Sequence, residues 1–355
     1  ILQRNNASLQ QNSLRSINSN RTDSADMEMH SNSNEPQSTR QISASPNESN
    51  TEEVIHNPWR SVPDIQKAPN VTSKDIVRGN GQYWNAPIVN EEFKIIFFHM
   101  AKVGSSDWKR FFSRLSGMPK ETWCLTNNIH KREKNKLKFL DEFSVEEAQH
   151  MMTSPEWTRA TFVRNPKSRI LSAYLDKSIH KAHSFEIHEC VSYGHNLGDS
   201  DKKVAKLHED ECIARHRDFD FFLHNITKIL TENRHYQPVY SLIDEKWWPW
   251  INFIGKMEYF KDDAESLLKA IKSERNGMTA WDRSGATGWS GMEKEGICNG
   301  TRAFLDRSRK DSHATNAREK MQQYFTPELE NIVEEHFADD LDNPYFHFND
   351  LDNLN

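Results

Sequence analysis

A lysine, a glycine and two serines stand together in the stretch Phe97 to Arg110, FFHMAKVGSSDWKR, between an apolar run and an amphipathic one. That combination suits an anion. N–H groups left over at a helix start and the helix dipole favour negative charge, Gly104 lets backbone approach an oxyanion, and Lys102 adds a mobile full charge. The stretch is not a Walker A loop, because the G-x-x-x-x-G-K-[ST] spacing is absent. A structural turn capped by Ser105 or Ser106 is the plainer alternative. A second stretch, Arg159 to Lys177, puts Arg164 at the end of a strand and Ser172 eight residues later on the next helix, where both can face one ligand. An arginine fork grips phosphate bidentately, and a serine hydroxyl donates to another of its oxygens. Taken singly, Arg164 could instead pair with a carboxylate such as Asp176, and Ser172 could be a neutral helix residue.

Strands followed by helices must position these groups, which predicts an α/β fold with a central parallel sheet and crossover connections. Phe93 to Phe98 is an apolar run that reads as a buried strand ending in His99, and a helix runs on from Ser106 through Trp108, Phe111, Phe112 and Leu115 to Gly117 and Pro119. Ser144 to Glu147 has the capping-box pattern. Ala160 to Val163 is a second strand, and the helix after Pro166 carries Ile170, Leu171 and Tyr174 on one face. Asn252 to Ile254 is a third strand candidate, with Asp262 or Asp263 as cap for Ala264, Leu267, Leu268 and Ile271. Thr326-Pro327-Glu328 opens a last helix with Leu329, Ile332, Val333 and Phe337 on its buried stripe.

Composition divides the chain. Asn, Ser and Gln make up 25 of the first fifty residues, and none of the 37 Phe, Trp and Tyr precedes Trp59. Such a segment cannot bury enough apolar surface to offset its ordering entropy, so residues 1 to 80 read as a disordered stem or linker and 81 to 355 as one domain. No apolar run approaches the roughly 18 residues needed to cross a bilayer. The net charge of -6 excludes a general nucleic-acid binder, yet residues 94 to 138 carry 11 basic and 3 acidic side chains. Cys124, Cys190, Cys212 and Cys298 permit two bridges or four thiols, and spacing alone does not choose. The cluster His180, His183, His188, Cys190 and His195 fits no standard zinc spacing. Sequons at Asn6, Asn20, Asn47, Asn70, Asn225 and Asn299 fit a secretory route.

The two anion stretches, in this order, resemble the 5′-phosphosulfate and 3′-phosphate loops of the Golgi carbohydrate sulfotransferases, in the branch of the chondroitin and dermatan 4-O-sulfotransferases. Lys102-Val103 and Asp107-Trp108-Lys109-Arg110 match the first signature; Phe162, Val163, Arg164, Pro166, Arg169 and Ile170 through Tyr174 match the second. Asn233 to Pro238, Phe253 to Glu258, and Tyr324 to Leu329 with Asp339-Asp340 are similar to three later segments, so the likeness covers about residues 93 to 346. Met100-Ala101 and Gly104-Ser105-Ser106 depart from the usual residues of the first loop, and a paired-cysteine segment after Pro238 is missing, which marks a distant member and leaves the family's disulfide pattern open.

The resemblance implies a P-loop NTPase-like sulfotransferase fold and transfer of a sulfuryl group from 3′-phosphoadenosine 5′-phosphosulfate to a carbohydrate hydroxyl, with no metal expected. Lys102, Val103, Gly104, Ser105, Ser106 and Asp107 would lie on the 5′ side, with Lys102 also stabilising the leaving oxygen; Arg164 and Ser172 would hold the 3′-phosphate. Lys109 or Arg110 would assist, with a solvated helix face as the alternative for at least one. For the base, His235, His130, His99 and Glu258 stay open, with His235 and His130 foremost. The basic run His130 to Lys138 reads as a solvated face or an anionic-glycan contact, and Arg307, Arg309 and Lys310 as further contacts to phosphate or acceptor. Expected partners are a glycan or glycoprotein acceptor and no nucleic acid. The implied place is the Golgi lumen, as a type II membrane protein held only through an anchor absent from this chain, which opens on Ile1. A binding protein of the same fold without turnover is the rival reading; a P-loop kinase is disfavoured because no Walker A or Walker B pattern is present.

Overall fold

The computed structural model of this chain describes residues 56–72, 86–119, 122, 129–198, 200–225, 233–284 and 315–348. A five-stranded sheet has the order β3-β1-β2-β4-β5, with β1 at Ile88–Asn90, β2 at Ile95–Phe98, β3 at Lys138–Phe139, β4 at Thr158–Val163 and β5 at Phe253–Lys256. The pairs β2–β4 and β4–β5 run parallel, as predicted. The expectation of a parallel sheet is corrected at the other edge, where β1 pairs antiparallel with both β2 and β3. A tight turn causes this: Lys94 takes a left-handed φ of 45°, and Asn90 Oδ1 accepts the Phe93 N–H at 3.1 Å. So short a reversal can only join antiparallel neighbours.

Helix α1 (Ser105–Leu115) follows β2, α2 (Val145–Thr153) precedes β4, and α3 (Pro166–Tyr174) follows β4. Next come α4 (Val191–Gly198), α5 (Lys202–Arg215) and α6 (Phe219–His224); α7 (Phe260–Ala270) follows β5, and α8 (Ala317–Tyr324) and α9 (Pro327–His336) stand near the end. Three expected starts are found. Ser144 and Glu147 close a capping box on α2, Asn165 caps α3 with Pro166 in its first turn, and Thr326 caps α9. The expected cap of α7 is not. That helix begins earlier, at Phe260, and Asp263 is buried, accepting the Lys256 N–H at 2.6 Å and His56 Nε2 at 2.9 Å.

Two apolar clusters hold these parts. The first lies on the sheet, where Trp108 of α1 packs its ring 4.6 Å from Phe97 and 4.9 Å from Phe162. Burying a side chain of the size of Phe contributes about 1.5–3 kcal/mol, so this contact fixes α1 against β2 and β4. Gly255 is required beside it, because a Cβ there would stand 2.5 Å from the Phe162 ring. The second cluster joins α3, α6 and α9 through Ile170, Leu171, Tyr174, Phe222, Leu329, Val333 and Phe337.

Residues 56–72, which composition assigns to the stem, pack on the domain. Trp59 bridges to Phe253 of β5, its Nε1–H donates to Ser266 Oγ at 2.8 Å, and Val71 is buried. Residues 1–55 lie outside the described residues, as do Cys124, Cys298, Arg307, Arg309, Lys310 and the sequons Asn6, Asn20, Asn47 and Asn299. Of the other sequons, Asn70 is exposed, whereas Asn225 accepts from Tyr193 Oη and donates to the Phe221 carbonyl. Among the described residues no helix is long and apolar enough to cross a membrane.

Cys190 and Cys212 form a disulfide that closes a loop of 22 residues across the helical lobe, and the thiol alternative fails for this pair. Cross-linking a loop of this length removes about 3 kcal/mol of chain entropy from the unfolded state. Cys190→Ser with Cys212→Ser is therefore expected to lower the unfolding free energy in urea by about 3 kcal/mol. An unchanged midpoint would contradict the bond.

Candidate active site

The parallel strands β2 and β4 end at the same edge of the sheet, the edge where open α/β sheets bind ligands. From β2 the chain passes Lys102 with φ 68° and Gly104 with φ 78°, two left-handed residues around the buried Val103. Gly104 can take that conformation because it has no Cβ. It is the N-cap of α1, and no side chain caps the helix. The alternative of a turn capped by Ser105 or Ser106 is thus excluded. The first intrahelical bond runs from Trp108 N–H to the Gly104 carbonyl, so the N–H groups of Ser105 and Ser106 have no i−4 partner in the helix.

Lys102 Nζ donates to Asp176 Oδ2 at 2.6 Å. Asp176 sits on the π-helical stretch Leu175–His180 that prolongs α3, and it also meets Lys177 at 3.4 Å and Lys181 at 3.3 Å. Three ammonium groups on one carboxylate leave a positive excess. Burial pushes the Lys102 ammonium down to about 8, against the pull of Asp176, while Lys177 and Lys181 push it the same way as burial. Asp176 is held below the usual carboxylate range, the lysine charges prevailing over its burial.

Arg164 does not take Asp176 as its partner. Its Nε–H donates to Ser168 Oγ at 2.9 Å and its Nη1–H to the Lys102 carbonyl at 3.4 Å. Ser172 lies one helical turn beyond Ser168 and accepts from Thr315 Oγ1 at 3.0 Å, so Ser168 and Ser172 follow one face of α3, with Arg164 bonded to the first of them. Asp107 accepts from Arg110 Nη1 at 3.3 Å, and only the backbone of the core residue Val103 is left for a ligand. Lys109 and Arg110 are 4% and 2% exposed, which corrects the alternative of a solvated face. Burial pushes Lys109 down to about 7, helped by the charges of Arg234 and Arg132.

Three histidines border this region. His130 is exposed on one side and contacts Ser106 Oγ through Nε2 at 3.1 Å; desolvation on its protein side, then the charges of Lys109, Arg110 and Arg234, push it down to about 3. His235 meets Asn233 Oδ1 through Nδ1 at 2.7 Å and is held well below the usual range by burial and then by Lys177, Lys102 and Arg234. His99 is buried and likewise kept neutral, by desolvation first and Lys109 next. Glu258 accepts the Asn165 N–H through Oε1 at 3.0 Å, while its Oε2 is buried without a hydrogen bond. In the basic run, Lys131, Lys134, Lys136 and Lys138 are exposed. Among the described residues no three or more His, Cys, Asp or Glu gather as a metal site, and Cys190 is taken by Cys212.

The residue that joins these parts is named in the sequence only as a match to the second signature, with no role assigned. Arg169 is fully buried and donates from Nε to the Ala101 carbonyl at 3.2 Å, from Nη1 to Gln237 at 2.6 Å and from Nη2 to Arg234 at 3.0 Å. It thereby ties the residue before Lys102 to the segment that carries His235. Ser168 and Lys177 were given no role either, and Asp176 and Asn233 were named without the partners they take here; the spacing of four residues between Ser168, Ser172 and Asp176 was the available signal.

The family model described as the sulfotransferase family matches residues 86–348. This chain belongs to the sulfotransferase family. Within it, the chain is 26% identical to human carbohydrate sulfotransferase 9 over 195 residues, 52% of this chain and 40% of that protein. It is 28% identical to carbohydrate sulfotransferase 11 of Rattus norvegicus over 192 residues, 51% of each chain, and 34% identical to carbohydrate sulfotransferase 10 of Pongo abelii over 93 residues, 26% of each chain. The chain matches about half the length, or less, of these curated relatives. No solved structure matches it.

With burial pushing the Lys102 ammonium down to about 8, its charge is expected to fade above that pH. Affinity for adenosine 3′,5′-bisphosphate, measured by calorimetry, is expected to hold level below pH about 8 and to fall by up to about tenfold per unit above it as Lys102 loses its proton. Lys102→Arg is expected to remove that fall, since arginine stays charged. A wild-type affinity unchanged from pH 7 to 10 would contradict the role of Lys102.

Proposed function

We propose that this sulfotransferase-family chain moves a sulfuryl group from 3′-phosphoadenosine 5′-phosphosulfate to a hydroxyl of a glycan. The observation that carries the proposal is the pairing of two anion-holding groups at the ends of adjacent parallel strands: Lys102 with the uncapped start of α1, and Arg164 with Ser168 and Ser172. A donor with anionic groups at both its 5′ and 3′ ends fits two such holds, whereas a mononucleotide lacking the 3′-phosphate leaves the second one unused. The positive excess around Asp176 supports the fit, since an anion there relieves repulsion among Lys102, Lys177 and Lys181.

The chemistry then falls to this chain's residues. Lys102 and the N–H groups of Ser105 and Ser106 hold the 5′ side, and Lys102 neutralises the charge that develops on the bridging oxygen as the sulfur–oxygen bond to the nucleotide breaks. Arg164, Ser168 and Ser172 hold the 3′-phosphate and so set the sulfur's position. An imidazole takes the proton from the acceptor hydroxyl as its oxygen bonds to sulfur, and both His235 and His130 are held neutral for that task. The nucleotide product leaves as the 3′,5′-bisphosphate.

The carbohydrate class of acceptor comes from the names of the relatives. The Cys190–Cys212 disulfide supports work in an oxidising compartment, as the Golgi lumen is, since such bonds persist where thiols are not kept reduced.

The decisive assay incubates the purified chain with labelled phosphosulfate donor and a glycan panel. Transfer to at least one glycan is expected, with Lys102→Ala and Arg164→Ala each lowering kcat/KM by about 10- to 100-fold, the worth of a hydrogen bond to a charged group. Donor binding without transfer to any acceptor would favour the rival reading of a binding protein. Undiminished transfer in both variants would remove the site from where it is placed.

A further inference from the structure

Resting on the proposed sulfuryl transfer, we infer that Glu189 and Asn233 are positioning residues that fix the tautomer of His235, leaving its Nε2 unprotonated as the base for the acceptor hydroxyl. Three hydrogen bonds carry this. Asn233 Oδ1 accepts the backbone N–H of His235 at 3.0 Å and faces His235 Nδ1 at 2.7 Å. Asn233 Nδ2 donates to Glu189 Oε1 at 2.8 Å.

The orientation of the amide follows from its partners. A carboxylate only accepts, so the Asn233 atom facing Glu189 must be its NH₂, and the atom facing the His235 backbone N–H must be its oxygen. Both constraints agree. An oxygen at 2.7 Å from Nδ1 then requires that Nδ1 carry the proton, and a neutral imidazole with Nδ1–H has its lone pair on Nε2. His130 has no comparable constraint, because it meets a Ser106 hydroxyl that can give or take a proton. His235 therefore presents a defined acceptor atom.

The outer end of this chain of bonds is also held. Glu189 sits in the π-helical turn Glu186–Cys190, directly before the cysteine bound to Cys212. At the inner end, Arg169 grips the Arg234 and Gln237 carbonyls on either side of His235. Burial first, and then the charges of Lys177, Lys102 and Arg234 with Asp176 opposing them, keep the imidazole neutral until it takes a proton in the reaction. That proton comes from the acceptor hydroxyl as the new oxygen–sulfur bond forms and the sulfur–oxygen bond to the nucleotide breaks.

The test reads the tautomer without turnover. In ¹⁵N-histidine spectra of the whole chain at pH 7, with His235→Asn assigning the signal, His235 is expected to show a protonated Nδ1 and a bare Nε2. Asn233→Ala is expected to mix the tautomers and to lower kcat by about 10- to 100-fold with donor KM within about twofold, while adding nothing in a His235→Ala background. Glu189→Gln, whose amide oxygen can still accept from Asn233, is expected to keep the wild-type tautomer. A wild-type Nε2–H signal would overturn the inference even if no variant folds, and so would losses that multiply between Asn233→Ala and His235→Ala. Wild-type protein that transfers no sulfuryl group, yet shows the bare Nε2, refutes the functional proposal and not the tautomer assignment.

Discussion

The buried guanidinium of Arg169 is the interaction on which the site depends. Taking an unpaired charge from water costs several kcal/mol, and here three backbone carbonyls on two distant segments meet it. Desolvation lowers it only to about 10, so it stays charged at neutral pH. Asp340 balances it through space and accepts the N–H groups of Val239 and Tyr240 at 2.8 and 2.7 Å. The segment from Arg234 to Tyr240 is thus held at both ends, by an arginine from α3 and an aspartate after α9. Lys102 and His235 come from separate parts of the chain, and Arg169 ties the carbonyl before Lys102 to the segment that carries His235.

The same region explains how an acidic chain can present a cationic cleft. Lys102, Lys177 and Lys181 gather on Asp176, the charges of Arg234 and Arg132 reach Lys109, and those of Lys109, Arg110 and Arg234 reach His130. Burial first, and then these charges, keep His130 and His235 neutral and weaken the hold of Lys102 and Lys109 on their protons. An anion bound among them offsets these charges.

Much of the scaffold was legible because it obeys short-range rules. The apolar runs of β2, β4 and β5, the capping box at Ser144 and the Thr326-Pro327 start of α9 each carry a local signal. The strands β1 and β3 are too short to show an alternation, and the bridge from Trp59 to Phe253 joins residues far apart in sequence. Asp263 read as a cap because aspartate caps helices; instead it is a buried acceptor for Lys256 and His56. In the site, Lys102 and Arg164 stood out by type and by position at strand ends. Arg169, Asp176 and Asn233 did not, because their roles depend on partners dozens of residues away.

The most direct measurement is a crystal structure of the chain with adenosine 3′,5′-bisphosphate. The account predicts the 5′-phosphate at the start of α1 against Lys102, with the 3′-phosphate on Arg164 and the face of α3 that carries Ser168 and Ser172. Nucleotide bound away from the ends of β2 and β4, or bound there with its 3′-phosphate in solvent, would contradict it.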